Sequence, residues 1–267
     1  MTKAADLGFC PDRLARIDRL LAEKYVGPGR LAQAHFVLTR RGQKIHEVLL
    51  GQRDPNLDEP LKADAVYRIF SMTKPITCLA LMQLVEEGKI ALDDPVAKYI
   101  PAWADLGVLA GGQHPDYQTT PPGKPMQVAD LMRHTSGLTY GFHGRTAVDA
   151  AYRQLQLDHM FEGCDLEGMI QQLAAIPLEF TPGQAWNYGI STDVVGYLVQ
   201  TVAGKPLEDV LQERILGPLG MADTGFFARE DQRDRLTACY QAMPGGRKMR
   251  TDGPDASPFL EAPRPGG

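Results

Sequence analysis

The chain has 267 residues, a formal charge of −5 and a hydrophobic fraction of 43%, enough apolar material for a large core and too much for a disordered chain. The acidic balance argues against a nucleic-acid surface, which needs a basic stripe to neutralise phosphates. No run approaches the roughly 18 apolar residues of a membrane span, and the start, Met1-Thr-Lys-Ala-Ala-Asp6, lacks the apolar core of a signal peptide, so a cytoplasmic protein with no membrane partner is expected.

Pro11 to about Tyr25 carries Leu14, Ile17, Leu20 and Leu21 at helical spacing with charges between them, which predicts an amphipathic helix. Ala32–Thr39 and Ile45–Leu50 read as strands joined at Arg41-Gly42-Gln43, an antiparallel hairpin with Arg40, Arg41 and Lys44 at its tip. Gly51–Ala65 is polar, broken by prolines, and reads as loop. Val66–Phe70 is strand-like again and gives way to an apolar helix, Pro75–Glu87, capped by Gly88. Apolar residues on nearly every side of that helix predict a buried, central position. Residues from about 90 to 185 read as a mostly helical lobe with little strand character, including a short helix and turn over Val128–Leu138. Thr181–Tyr188 is loop, Ser191 reads as the cap of a helix over Thr192–Val202, and Leu207–Leu216 is a further amphipathic helix. Residues 241–267, rich in proline and glycine, read as an irregular tail. With no internal repeat, the expectation is one domain over residues 1–267.

Cys10, Cys78, Cys164 and Cys239 stand far apart with no CxxC, which predicts reduced thiols rather than a disulfide framework. His35, His46, His114, His134, His143 and His159 form neither HxH nor HExxH, so no metal site is expected.

The chemistry-bearing feature is Ser71-Met-Thr-Lys74. If a helix starts here, positions three apart share one face, and the Lys74 amine can reach the Ser71 hydroxyl as its base. A lone hydroxyl is a weak nucleophile and needs such a neighbour to attack a carbonyl at neutral pH. The helix N-terminus adds a field that favours negative charge at Ser71. With four serines and ten lysines in the chain, the spacing alone is weak, and context must carry the reading.

That context is an ordered set: Ser71-Met-Thr-Lys74, His134-Thr-Ser-Gly-Leu138, Pro182-Gly-Gln-Ala-Trp-Asn-Tyr188 and Pro218-Leu-Gly-Met-Ala-Asp-Thr-Gly225. In this it resembles the serine β-lactamase-like superfamily, most of all the class C and family VIII esterase branch, from about Phe9 to Phe227. The resemblance implies an α/β (α+β) fold of the β-lactamase/transpeptidase-like type, an antiparallel sheet flanked by helices with a mostly helical second lobe and the site in a groove between them. It implies Ser71 as the acylated nucleophile, Lys74 as its general base and Tyr188 as the phenol that relays the proton, with no metal or organic cofactor and a small-molecule ester or amide as substrate. The His134 segment reads as a structural turn shaping the wall of the site. A rival nucleophile, Ser191, has only the first glycine of G-x-S-x-G in Gly189-Ile-Ser191-Thr-Asp193.

Two departures matter. Relatives usually carry Tyr-x-Asn, whose amide meets the substrate's amide; here the residues are Tyr188-Gly189-Ile190, which suits small acyl esters better than β-lactams or peptides. β-Lactamase, D-amino-acid peptidase or amidase and acyltransferase chemistry use the same apparatus and stay open. Downstream of Tyr188 there is no Lys/His-Thr-Gly or Trp-Gly-Gly motif, Asp223-Thr-Gly225 being the nearest match. The expectation is a chain truncated at its C-terminus, without the sheet strands that would follow. Loss of one oxyanion-hole donor with such a strand lowers a rate by about 10²–10³, so an inactive remnant or binding protein is the competing reading.

Overall fold

The computed structural model describes residues 4–158 and 165–260; His159 and Cys164 lie outside them. Two compact units are present, one built from the chain up to Arg68 and from Phe227 onward, the other from Ile69–Phe226.

The first unit opens with α1 (Pro11–Leu21), which has proline in its first turn, where a missing N–H costs nothing. A wider turn, Ala22–Val26, extends it over the predicted span. His46 and Asp18, 2.6 Å apart, tie α1 to the hairpin of β1 (Gln33–Arg40) and β2 (Gln43–Asp54). Arg41 and Gly42 connect the strands with φ of 51° and 72°, a mirror-type turn whose twist matches that of the strands. β2 runs past Gly51 and pairs with β3 (Glu59–Pro60), so the predicted loop begins later than expected.

The strand-like reading of Val66–Phe70 is corrected: only Val66 makes a bridge, parallel to Leu236, and Phe70–Met72 is a turn of 3-10 helix. In the second unit this turn leads into α2 (Thr73–Glu86), ended by Gly88 at φ 70°. The predicted lobe of helices and loops contains a hairpin, β4 (Val108–Gln113) with β5 (Asp116–Thr120), that sequence reading misses. Its register shifts between Leu109 and Gly111, and β5 is largely exposed, so no apolar alternation marks it. Helices α3 (Val128–Met132), α4 (Ala147–Gln154), α5 (Leu166–Leu173), α6 (Ser191–Ala203) and α7 (Leu207–Leu211) follow, the last continued by a wider turn to Leu216.

Helix α2 packs on α6, where Ala80, Leu81, Leu84, Val194, Val195, Leu198 and Val199 are fully buried in one apolar cluster. Trp103 joins the same core and donates to the Ile170 carbonyl at 3.1 Å. The all-round burial expected of α2 is only partly met, because Leu79 and Met82 on its other side are 45% and 38% exposed. An apolar helix reports that a core is near but not which of its faces the core covers.

Back in the first unit, β6 (Cys239–Ala242) and β7 (Lys248–Asp252) form an antiparallel hairpin where an irregular tail is predicted from 241. Ion pairs rather than apolar alternation hold β7. Arg250 bonds Asp54 at 2.6 Å, and Arg68 bonds Asp252 with side chains 5% and 7% exposed. Breaking a buried pair by removing one partner costs about 3–5 kcal/mol, enough to fix a strand that hydropathy does not reveal. Cys10, Cys78 and Cys239 are free. Among the described residues no helix is long and apolar enough to cross a membrane.

Because Leu198 is fully buried between α6 and its neighbours, Leu198→Ala is expected to lower the unfolding free energy by about 2–5 kcal/mol, measured by urea denaturation. A loss below about 1 kcal/mol would contradict this packing.

Candidate active site

The turn of 3-10 helix before α2 presents Ser71. Phe70 adopts φ 43°, a left-handed conformation that costs a bulky residue about 1–3 kcal/mol and is held only where the surroundings over-determine it. Ser71 is exposed, while Lys74, one turn on, is 7% exposed. The Lys74 Nζ lies 3.5 Å from Ser71 Oγ and donates to Tyr140 Oη at 3.1 Å. From the opposite side Tyr188 Oη donates to Ser71 Oγ at 2.7 Å. The Lys74 Nζ also lies 5.3 Å from the centre of the Tyr188 ring, near enough for that ring to favour the ammonium once Lys74 has taken up a proton. Ser71, Lys74 and Tyr188 are thus brought together, all within the second unit.

Tyr188 sits in a loop, and a backbone ladder to the His134 segment fixes that loop. Gly183, Asn187 and Ile190 donate their N–H groups to the carbonyls of Thr135 (2.7 Å), His134 (2.9 Å) and Thr139 (3.2 Å), and Glu179 donates to Gly137 at 2.8 Å. Two glycines allow the approach. A Cβ on Gly189 would stand 2.8 Å from Thr139 Cα, and one on Gly137, at φ 89°, would stand 2.5 Å from the Phe180 carbonyl oxygen. The side chain of Asn187 locks the same joint: its Nδ2 donates to the Leu138 carbonyl (3.1 Å) and to Glu179 (2.9 Å), while its Oδ1 accepts from Arg145 (2.6 Å).

Ser191 does not cap α6. It is the first helical residue, fully buried, with its Oγ 2.8 Å from Ser136 Oγ. The cap position is Ile190 instead, which supplies no side-chain cap. That burial removes Ser191 as a rival nucleophile, and it explains the serine of the His134-Thr-Ser-Gly motif as an anchor onto α6. Ile190 is also buried and its side chain offers no polar group to a substrate.

Tyr140, which sequence reading overlooks, is a hydrogen-bond partner of Lys74. Its signal was available as a tyrosine two residues past the His134–Leu138 turn. Burial first, and then the negative charge of Asp193, pushes its phenol far above the ordinary tyrosine range, so it stays protonated and neutral beside the lysine. His134 packs its ring 4.8 Å from that of Tyr188. Burial and the nearby Lys74 charge hold the pKa of His134 below its ordinary 6.5, and its Nδ1 has no hydrogen-bond partner among the described residues. A neutral ring is the one state that adds no second positive charge against Lys74.

A framework of antiparallel sheets and helices with a Ser-x-x-Lys serine at a helix head defines a class, the serine hydrolases and acyl transferases of the β-lactamase/transpeptidase-like fold. The chain belongs to the Beta-lactamase family, whose model matches residues 19–265. It is similar to Esterase EstB of Burkholderia gladioli, with 31% identity over 255 residues, 95% of this chain and 59% of that protein. It is similar also to Lovastatin esterase of Penicillium rubens, with 31% identity over 218 residues, 80% of this chain and 52% of that protein. The solved structure of EstCE1, described as a hydrolase with promiscuous acyltransferase activity, matches with a TM-score of 0.78 at 25% identity, over 96% of this chain and 68% of that one. The chain spans a little over half the length of these curated relatives.

With a depressed pKa, the folded state binds fewer protons at His134 than the unfolded chain once the pH falls below 6.5, so this residue withdraws stability in acid. The His134 ring proton is expected to titrate below 6.5 by NMR. His134→Asn, which keeps a residue tolerant of the φ of 56° found there, is expected to flatten the acid limb of the unfolding curve. A midpoint at or above 6.5 would contradict the buried neutral ring.

Proposed function

We propose that this chain carries an esterase site that cleaves small acyl esters through an acyl-enzyme on Ser71, with Lys74 as general base, Tyr188 as proton relay and Tyr140 holding Lys74 in place. The observation that carries the reading is the meeting of groups at one atom: Ser71 Oγ has the Tyr188 phenol at 2.7 Å and the Lys74 amine at 3.5 Å. A binding-only role gives no reason for that convergence.

In the acylation step Ser71 Oγ bonds to the ester carbonyl carbon while Lys74, starting as the neutral amine, takes the serine proton and becomes the ammonium. The 3.5 Å separation is long for transfer, as catalytic contacts often are before substrate tightens them. Negative charge collects on the carbonyl oxygen, where the Ser71 N–H at the helix head opposes it. Collapse breaks the ester C–O bond, and the departing oxygen takes a proton from Tyr188 Oη, which is replenished from Lys74. Water then enters by the reverse route, releases the acid and restores Ser71.

The preference for esters over β-lactams or peptides rests on the buried Ile190 and on Asn187, whose amide is spent on Leu138, Glu179 and Arg145. The likeness to EstB and Lovastatin esterase supports it. A second reading, transfer of the acyl group to an alcohol instead of water, draws on the likeness to EstCE1 and needs no further residue, since the relay handles either hydroxyl.

Intact-mass analysis after a fluorophosphonate probe is expected to show one adduct on the parent and none on Ser71→Ala. Tyr188→Phe and Lys74→Ala, checked for folding by circular dichroism, are expected to label slower by about 10²-fold or more. Labelling that survives in Ser71→Ala, or cleavage of nitrocefin far faster than p-nitrophenyl butyrate, would contradict the proposal.

A further inference from the structure

Two aromatic side chains beside the site serve neither the core nor the acylation chemistry described above. Trp186 is 68% exposed and Phe142 is 72% exposed. Each lies flat on a tyrosine whose oxygen ends at the reacting groups. Trp186 stacks on Tyr188 with ring centres 6.3 Å apart and planes at 23°, and Phe142 stacks on Tyr140 at 4.9 Å and 20°. The two tyrosine rings are 5.5 Å apart, so the four rings form one continuous series. Both ends are braced: His134 meets Trp186 edge-on at 6.4 Å, and His143 stacks on Phe142 at 5.0 Å. Ordered aromatic surface that faces water beside a nucleophile is what a ligand-binding wall looks like.

Proton bookkeeping says which half of a substrate would cover it. When Ser71 Oγ bonds to the carbonyl carbon and the ester C–O bond breaks, the departing oxygen must take its proton from Tyr188 Oη, so it lies within about 3 Å of that atom. The carbons attached to this oxygen therefore start at the edge of the Tyr188 ring. Trp186 and Phe142 stand next in the series.

Resting on Tyr188 as the donor to the leaving group, we infer that Trp186 and Phe142 form the alcohol-side subsite, and that it takes esters of flat apolar alcohols, aryl-substituted or fused-ring. Stacking on such faces is worth about 0.5–1.5 kcal/mol per ring pair beyond simple burial, so the subsite sets preference rather than enabling the chemistry.

The test compares two acetates of primary alcohols of similar acidity, ethyl acetate and 2-(1-naphthyl)ethyl acetate. Both give the same acetyl-enzyme, so the ratio of their kcat/KM values reports recognition of the alcohol alone. The naphthyl ester is expected to be favoured by about tenfold or more, with the ratio falling towards one in Trp186→Ala and in Phe142→Ala. A parent ratio near one overturns the inference. So does a ratio that survives the substitutions while both rates drop together, which would assign Trp186 to holding Tyr188. A second arm needs no turnover: 2-(1-naphthyl)ethanol added to Ser71→Ala is expected to quench tryptophan fluorescence saturably, and to leave Ser71→Ala/Trp186→Ala unchanged, where buried Trp103 is the only emitter of the chain's two tryptophans left. Saturable quenching in a chain whose parent cleaves neither ester upholds the subsite and counts against the esterase reading. Ethyl acetate hydrolysis without quenching upholds the esterase and overturns the subsite.

Discussion

Backbone hydrogen bonds between residues 134–139 and 179–190 hold the Tyr188 phenol against Ser71 Oγ, and the rest of the site is arranged around that joint. A loop on its own would spend conformational entropy to keep a tyrosine in one place. Here the cost is met by paired backbone groups, by Asn187 bonded at both ends of its amide, and by glycines that let two chain segments touch where any Cβ would collide. Ser71 itself sits in the turn that leads into α2, whose inner face is packed against α6, so its hydroxyl and the phenol are each tied to the same apolar core.

Within that frame electrostatics becomes a matter of admitting one positive charge, the one Lys74 gains when it takes the serine proton in the proposed step. Lys74 is almost buried, lies 3.1 Å from a phenol that burial and Asp193 keep protonated, and is close to the Tyr188 ring. His134, beside it, is held neutral. The rings of Tyr140 and Tyr188 are continuous with the solvent-facing Phe142 and Trp186.

Much of this was legible in the residues. Ser71 and Lys74 three apart ahead of an apolar helix, and a tyrosine after Pro182-Gly183, marked the site. The β1–β2 hairpin and the helices α1, α2 and α6 follow from periodicity and glycine caps. What stayed hidden has physical causes. Tyr140 carries no spacing rule because its link to Lys74 crosses from one chain segment to another. Ser191 looks like a cap, but its hydroxyl is drawn to Ser136. The β6–β7 hairpin is held by Arg68–Asp252 and Arg250–Asp54, and β5 is largely exposed, so neither offers alternating hydrophobicity. Phe70 reads as strand by composition yet turns into the left-handed region to present Ser71.

The proposed esterase requires that Ser71 become covalently acylated in this arrangement. Rapid-quench intact mass with p-nitrophenyl butyrate, followed by peptide mapping, tests it most directly. One butyryl group per chain is expected, located on the peptide containing Ser71 and formed no later than the first equivalent of nitrophenol. A butyryl group on another residue, or nitrophenol release at the parental rate from Ser71→Ala, would contradict it.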